Sequence, residues 1–182
     1  QGYALPKIAV NVSALQFTRN FCPMVREALQ TSGLPASSLE LELTESILVE
    51  DSETTVRTLR ELKAMGLRLS IDDFGTGYSS LSYLSRFPLD ELKIDRSFVI
   101  DFDKSENDAR RVCAIIAMGQ SMNLDLVAEG VETSEQFNFL TTQGASVIQG
   151  YLFSRPVTAE ELKPMLAPGY FMEQIREIRA EL

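Results

Sequence analysis

The chain has 182 residues, of which 45% are hydrophobic and 24% are charged, which is enough for one globular domain with a buried core. Its net charge is −9, and this acidity argues against a nucleic-acid polymer as partner. Histidine is absent, which excludes histidine-ligated zinc and histidine acid–base catalysis. The two cysteines make no disulfide framework and fit a reducing cytoplasm.

The sequence contains no apolar run of the roughly 20 residues that a membrane-spanning helix needs. No basic-then-apolar signal segment begins the chain. Because the chain opens on Gln1 without a methionine, we expect it to be a segment of a longer protein. We expect this segment to be cytoplasmic, and the longer parent protein can still carry a membrane anchor.

Apolar runs alternate with amphipathic stretches along the whole chain. Strands are predicted, in order, at residues 7–12, 39–44, 67–72, 91–95, 124–129 and 145–149. Helices are predicted at residues 19–32, 52–65, 78–86, 105–122, 133–143 and 158–166. Successive strands start about 20 to 35 residues apart, which is the βα repeat of a parallel sheet.

Several predicted helix ends carry recognisable capping residues. Two capping boxes, Thr133 with Gln136 and Thr158 with Glu161, mark helix starts. Glycines stand where helices should stop, at positions 33, 66 and 144. After a break at Pro168-Gly169, the apolar residues of a last segment share one helical face: Phe171, Ile175, Ile178 and Leu182. We expect a partial barrel over residues 1–166 and a C-terminal helix over 167–182, which either caps the core or serves as a linker or dimer helix.

A polar side chain stands near the end of nearly every predicted strand: Asn11, Glu42, Asp72, Lys93, Glu129 and Gln149. In a (β/α)₈ barrel the active site is built from the C-terminal ends of several strands, whereas a doubly wound sheet concentrates its site at one switch point. The pattern therefore favours the barrel. A complete barrel has about 250 residues, so we expect about six βα units and an N-terminally incomplete TIM barrel.

Two adjacent acids, Asp72 and Asp73, follow the third predicted strand. Neighbouring side chains of a strand point to opposite faces, so both can serve one site only where the strand ends and the backbone turns. Gly75 and Gly77 permit a tight, mobile loop there.

The expected cluster is rich in carboxylates: Asn11, Glu42, Asp72, Asp73 and Glu129. So many acids need compensating charge, and two hard divalent ions, Mg²⁺ or Mn²⁺, would supply it. The alternative is that these residues are ordinary solvated acids at strand ends.

Lys93 and Asp95 are two residues apart and are predicted to share one strand face. A lysine among carboxylates can hold a water molecule or stabilise a phosphate oxygen. The alternative is a purely structural ion pair between Lys93 and Asp95.

Six stretches resemble a known family, the EAL-domain phosphodiesterases that act on cyclic di-GMP. They are VNVSALQF (10–17), ELELTES (40–46), IDDFGTGYSSLSYL (71–84), LKIDRSFV (92–99), VAEGVET (127–133) and IQGYLFSRPV (148–157). They follow the family's order and spacing and cover nearly the whole chain. The resemblance implies a modified TIM barrel in which one strand runs antiparallel to the others.

The resemblance also implies roles for individual residues. Asn11, Glu42 and Asp72 match ligands of one metal ion, and Asp72, Asp73 and Glu129 match ligands of a second. Lys93 matches the residue that orients and helps activate the attacking water. Glu45 matches an anchor of the loop 72–84, and Glu132 and Gln149 match positions around the metals and the ligand.

One departure from the family concerns its Glu-Ala-Leu motif, whose glutamate ligates the first metal. The letters EAL occur at 27–29, but within MVREALQTSG, which is predicted to be an amphipathic helix. That occurrence is a chance match, and we expect the true motif to precede residue 1. The barrel described by this chain would then lack a strand pair and one ligand, and we expect the isolated segment to be much less active than the full domain, or inactive.

Three functions are compatible with these patterns. The first is hydrolysis of cyclic di-GMP to linear pGpG by a two-metal mechanism in bacterial second-messenger signalling. The second is a catalytically impaired module that binds cyclic di-GMP. The third, from fold analogy alone, is an enolase-like lyase or isomerase with a lysine base. By resemblance, we also expect a homodimer and a sensory or GGDEF domain in the parent protein.

Overall fold

The computed structural model describes residues 7–18, 20–49, 53–75, 84–100, 102 and 106–180. One six-stranded sheet runs through it, in the order β1 to β6, and every described strand pair is parallel. The strands are β1 (Ile8–Val12), β2 (Leu39–Thr44), β3 (Arg68–Phe74), β4 (Glu91–Ile94), β5 (Asp125–Ala128) and β6 (Val147–Ile148).

Helices follow the strands along the chain. They are α1 (Phe21–Ser32), α2 (Glu45–Val49), α3 (Glu53–Ala64), α4 (Arg96–Ile100), α5 (Glu106–Ser121), α6 (Ser134–Gln143), α7 (Ala159–Met165) and α8 (Met172–Ala180). Parallel strands in sequential order with helical connections form part of a (β/α) barrel, which confirms the predicted fold class. The antiparallel strand that the resemblance implies is not among the six strands described.

The predicted elements agree with the structure apart from the lengths of two strands, two short helices and one helix that the described residues cover only in part. The sixth strand spans two residues instead of the five predicted, and the third continues to Phe74 instead of ending at Asp72. The short helices α2 and α4 were not predicted, because five residues are too few to show a helical period. The predicted helix 78–86 lies largely outside the described residues. The letters EAL at 27–29 lie within α1, as predicted.

The predicted helix caps are confirmed. Thr133 Oγ1 accepts from the Gln136 amide at 3.2 Å, and Gln136 Oε1 accepts from the Thr133 amide at 3.1 Å. Thr158 and Glu161 form the same reciprocal pair at the start of α7. The three predicted stop glycines adopt left-handed conformations, with φ of 67° at position 33, 95° at position 66 and 105° at position 144.

The alternation of side chains along each strand separates the hydrophobic core from the barrel interior. Leucine and isoleucine of β2, β3 and β4 are buried under the helices: Leu41, Leu43, Leu69, Ile71, Leu92 and Ile94. The intervening positions face the opposite side and are largely polar, among them Glu40, Glu42, Ser70, Glu91 and Lys93, all of which are buried. The sheet therefore carries an apolar core on one face and charged layers on the other.

An ion-pair network closes the N-terminal end of this interior. Lys7 Nζ lies 2.8 Å from Glu40 Oε1 and also pairs with Glu91, which joins the start of β1 to β2 and β4. Arg68 binds Glu40 at 3.1 Å and Asp125 at 2.6 Å. Burial and the neighbouring Glu40 raise the pKa of Glu91, although Lys7 opposes the shift. This network was not predicted from the sequence.

Among the described residues, no helix has the length and apolar character needed to cross a membrane.

Gly150 occupies a point where the chain after β6 crosses the chain after β5. A Cβ atom at position 150 would lie 2.0 Å from the Val131 carbonyl oxygen and 2.3 Å from the Val131 nitrogen. The Val131 backbone cannot move aside freely, because its amide donates to the Gln149 carbonyl at 3.1 Å and its carbonyl accepts from the Leu152 amide at 3.0 Å. This crossing holds the two strand-end segments in contact.

Gly150→Ala is therefore expected to lower the free energy of unfolding by about 3 kcal/mol or more, because the new methyl group meets fixed backbone. Gly33→Ala is the control: nothing lies within 4 Å of its Cβ, and only its positive φ is unfavourable. We expect a loss of about 1 kcal/mol there. Urea denaturation measures both values, and equal losses would contradict the steric explanation.

Candidate functional site

The ammonium group of Lys93 lies at the centre of a carboxylate cluster at the C-terminal ends of the strands. Its Nζ is 2.8 Å from Glu42 Oε1, 3.1 Å from Asp72 Oδ1 and 2.7 Å from Glu129 Oε1. The three acids come from β2, from β3 and from the residue that follows β5. Lys93 is only 4% exposed, so the cluster is largely shielded from water.

Asn11 of β1 completes one side of this cluster. The strand register places Asn11 opposite Glu42. With the amide nitrogen turned toward the acids, Asn11 donates to Glu42 Oε2 at 3.2 Å and to Asp72 Oδ2 at 3.3 Å. The structure thus brings together Asn11, Glu42, Asp72, Lys93 and Glu129, which the sequence placed on five separate strand ends.

A β-bulge brings Asp73 to the same site as Asp72. Ile71 pairs with Leu92 and Phe74 with Ile94, so β3 has one more residue than β4 over this stretch. Asp73 has φ of 53° and its amide donates to Asp72 Oδ1 at 3.1 Å. The prediction that the strand ends at Asp72 was wrong: a left-handed residue within a continuing strand turns the second carboxylate to the same site.

Three carboxylates of the site are spaced for a shared cation. One oxygen from each of Asp72, Asp73 and Glu129 lies within 4.8 Å of the other two. Oxygen ligands of one Ca²⁺, Mg²⁺ or Mn²⁺ ion have this kind of separation, and carboxylates are the donors that such hard ions prefer. The residues present therefore fit a divalent cation.

The protonation of the site follows from burial and from the number of acids around Lys93. Burial alone would lower the pKa of Lys93, but hydrogen bonds and charges of Glu129 and Glu42 outweigh it and raise that pKa. Burial raises the pKa of Glu129 although Lys93 opposes it. Burial and the charges of Asp72 and Asp95 raise the pKa of Asp73. Lys93 is a cation at neutral pH, and the raised pKa values of Asp73 and Glu129 mean that these two carboxyl groups hold their protons more tightly than usual.

Asp95 lies beside the cluster but not in the strand position predicted for it. Strand β4 ends at Ile94, and the Asp95 carboxylate accepts from the Ser97 amide at 3.0 Å at the start of α4. Asp95 thereby caps this short helix and adds negative charge next to Asp73. The observed partners of Lys93 are the carboxylates of Glu42, Asp72 and Glu129.

Glu45 is buried at the first position of α2, directly after β2. The loop that the resemblance assigns to it, 72–84, includes residues 76–83 and hence Gly77, which lie outside the described residues. Gly75 is described and has φ of 94°, and a Cβ there would lie 3.1 Å from the Phe98 ring. The start of this loop therefore contacts α4 closely.

Glu132 and Gln149 lie outside the Lys93 cluster and line a cavity of about 720 Å³ that Glu129 also lines. Glu132 Oε1 accepts from Arg96 Nη2 at 2.8 Å. The stem of Arg96 lies against Gly130, where a Cβ would be 2.2 Å from Arg96 Cγ. Arg96 therefore holds the segment after β5 that carries Glu129 and Glu132.

The sequence analysis missed the cations and aromatic groups of this cavity. They include Arg96, Tyr151, Arg155 and Phe171. The Arg155 guanidinium carbon lies 4.5 Å from the centre of the Tyr151 ring, which is a cation–π contact. The available signal in the sequence was two arginines that follow strands of an acidic chain, Arg96 two residues after β4 and Arg155 seven residues after β6, since arginine side chains can bind anionic groups.

Comparison with known proteins identifies the family. The family model described as "EAL domain" matches residues 1–156. The chain is 49% identical over 167 residues to the bifunctional diguanylate cyclase/cyclic di-GMP phosphodiesterase MucR of Pseudomonas aeruginosa. This match covers 91% of the chain but 24% of MucR, so the chain spans about a quarter of that relative's length.

Solved structures share the fold. A structure of the PaMucR phosphodiesterase in complex with c-di-GMP has a TM-score of 0.82 at 50% identity, covering 86% of this chain and 64% of that chain. A manganese/cy-diGMP complex of Klebsiella pneumoniae BlrP1 has a TM-score of 0.75 at 32% identity, covering 82% of this chain and 39% of that chain. With a family model matched over most of its length, this chain belongs to the EAL domain family.

Proposed function

We propose that this chain is a metal-dependent phosphodiesterase that hydrolyses cyclic di-GMP to linear pGpG. The observation that carries the proposal is the convergence of Glu42, Asp72 and Glu129 on Lys93, with Asp73 beside them. Membership of the EAL domain family and the cyclic di-GMP complexes of its relatives PaMucR and BlrP1 support it.

The metal ligands in this proposal fall into two groups that share Asp72. Asn11, Glu42 and Asp72 would hold one ion, and Asp72, Asp73 and Glu129 would hold the other. Two such ions, Mg²⁺ or Mn²⁺, would supply Lewis-acid activation of the phosphodiester and of water. For Asn11 to ligate through oxygen, its amide group must rotate from the orientation in which its nitrogen faces the acids.

The residues of the chain position the reactants. Lys93, whose ammonium group faces Glu42, Asp72 and Glu129, would exchange one of these partners for the attacking water and offset negative charge that develops on the phosphate oxygens. Hydrolysis forms a bond from the water oxygen to phosphorus and breaks the bond from phosphorus to the ribose 3′ oxygen, which takes up a proton. Because the chain has no histidine, carboxylates and Lys93 must manage these protons.

The cavity next to Glu129 would hold the part of the substrate that does not react. Its volume of about 720 Å³ is in the range of small-molecule sites. Arg96 and Arg155 line it and can bind phosphate or the polar edge of a base. Its apolar side chains, which include Tyr151, Leu162 and Phe171, can contact a base or ribose.

The second candidate is a module that binds cyclic di-GMP without hydrolysis. The presence of every acid of the cluster favours the enzyme over this candidate, because binding alone does not need so many carboxylates around one lysine. The enolase-like candidate has only fold analogy behind it. A homodimer and an adjoining sensory or GGDEF domain stay predictions from the resemblance.

Asp72→Asn is expected to lower the rate of cyclic di-GMP hydrolysis at least about 100-fold, because a shared ligand of both ions loses its charge. Chromatographic detection of pGpG in the presence of Mg²⁺ measures the rate. Asp108→Asn on helix α5 is the matched control and should keep its activity. Binding of cyclic di-GMP with no pGpG formed by the full-length protein, which is expected to supply the Glu-Ala-Leu strand, would favour the binding module instead.

Lys93→Met should destabilise the metal-free protein by about 3 kcal/mol, because Glu42, Asp72 and Glu129 lose their common partner. Mn²⁺ should recover part of this loss by replacing the missing charge. Thermal unfolding with and without Mn²⁺ tests this. The control is Lys63→Met, which removes a more exposed pair with Asp90 and should cost about 1 kcal/mol or less. A variant that Mn²⁺ does not stabilise would count against the site.

Mn²⁺ binding should release protons, and more of them at about pH 5.5 than at about pH 7.5. The pKa of Asp73 and that of Glu129 are raised in the metal-free protein, so these carboxyls keep protons to higher pH and an ion must displace them. Calorimetric titrations in buffers of different ionisation enthalpy count the protons released. Binding without proton release at the lower pH would contradict the assignment of these ligands.

A further inference from the structure

The C-terminal segment, residues 157–180, lies beyond the part of the chain that the family model matches. It nevertheless forms a wall of the cavity beside the acid cluster, through Val157, Leu162, Met165, Leu166 and Phe171. Glu129 and Gln149 line the same cavity, so one continuous space connects the acid cluster to this segment. The segment is therefore placed to touch whatever ligand extends from the cluster.

Helix α8 also holds the backbone next to Tyr151, another residue that lines the cavity. Gln174 Nε2 donates to the Leu152 carbonyl at 2.6 Å, and this bond is partly buried. Leu152 lies in the turn between Tyr151 and Phe153, and Tyr151 carries the cation–π contact with Arg155. Gln174 is not among the residues that line the cavity, so it can act on a ligand only through this turn.

Apolar contacts hold the segment in place around that hydrogen bond. The rings of Phe153 and Phe171 meet edge to face with centroids 5.7 Å apart, and Phe153 meets Phe137 of α6 in the same way at 5.8 Å. Ile178 of α8 is only 5% exposed. Helix α8 is therefore packed against the barrel in a defined position, with Gln174 aimed at the turn.

We propose that the C-terminal segment is part of the substrate site and that Gln174 is a positioning residue, which acts through Leu152 to hold the Tyr151–Arg155 wall. The ligand class is a planar aromatic base attached to the phosphodiester that the acid cluster binds. The apolar and aromatic side chains that line the cavity, together with Arg155, suit such a base. This inference rests on the proposed phosphodiesterase function and adds that binding of the distal base depends on α8.

The test compares Gln174→Leu with Glu173→Gln, a control at the neighbouring, exposed position of the same helix. Two substrates are used: cyclic di-GMP, and bis(4-nitrophenyl) phosphate, a phosphodiester with no purine or ribose to reach the wall. Gln174→Leu should raise the KM for cyclic di-GMP about 5- to 10-fold while kcat stays within about 2-fold. Turnover of bis(4-nitrophenyl) phosphate should be unchanged, and Glu173→Gln should behave as wild type.

Two results would overturn the inference. The first is an unchanged KM for cyclic di-GMP in Gln174→Leu. The second is an equal loss of kcat/KM with both substrates, which would mean general damage to the fold. Phe171→Leu, which keeps an apolar side chain but loses the ring contact with Phe153, provides a second variant and should also raise the KM.

If the full-length protein does not hydrolyse cyclic di-GMP, the proposed function fails separately. Equilibrium binding of cyclic di-GMP then decides the inference. A loss of affinity of about 5-fold or more in Gln174→Leu would uphold it, and equal affinities would overturn it.

Discussion

The contact of one buried ammonium group with three carboxylates is the interaction on which the rest of the site depends. Lys93 binds Glu42, Asp72 and Glu129, which stand at the ends of three other strand segments. Without a cation, acids at this spacing would repel one another and resist burial. Lys93 offsets part of this repulsion, and the remaining excess of negative charge, which includes Asp73, would attract divalent ions. The same arrangement thus serves both folding and the proposed chemistry.

The inward faces of the strands carry two layers of charged side chains, which differ in their ratio of cations to acids. In the N-terminal layer, Lys7 and Arg68 face Glu40, Glu91 and Asp125, so cations nearly match acids. In the C-terminal layer, Lys93 faces four acids with Asp73 included. Both layers arise from the two-residue period of the strands, which places polar residues on the face opposite the leucines. The unbalanced layer is the one to which we assign the metal ions, and the difference in charge balance distinguishes the candidate site from the structural network.

The sequence was sufficient for features that depend on local pattern and parallel topology. Strand alternation, capping boxes and the meeting of Asn11, Glu42, Asp72, Lys93 and Glu129 follow from those two causes. It was insufficient where distant contacts decide the geometry. The bulge at Asp73 depends on pairing with β4, and the Arg96–Glu132 pair joins residues 36 positions apart. The contact between Gln174 and Leu152 spans 22 positions, and the cavity it supports has no signature in any single segment.

The central claim is that the carboxylates around Lys93 are a site for divalent cations. Anomalous diffraction from crystals of the protein grown with Mn²⁺ tests it most directly, because the signal locates manganese without assumptions about ligands. The account predicts an anomalous peak bound by oxygens of Asp72, Asp73 and Glu129, and a second one between Asp72, Glu42 and Asn11. Crystals with manganese present, but with no peak beside any of these side chains, would contradict it.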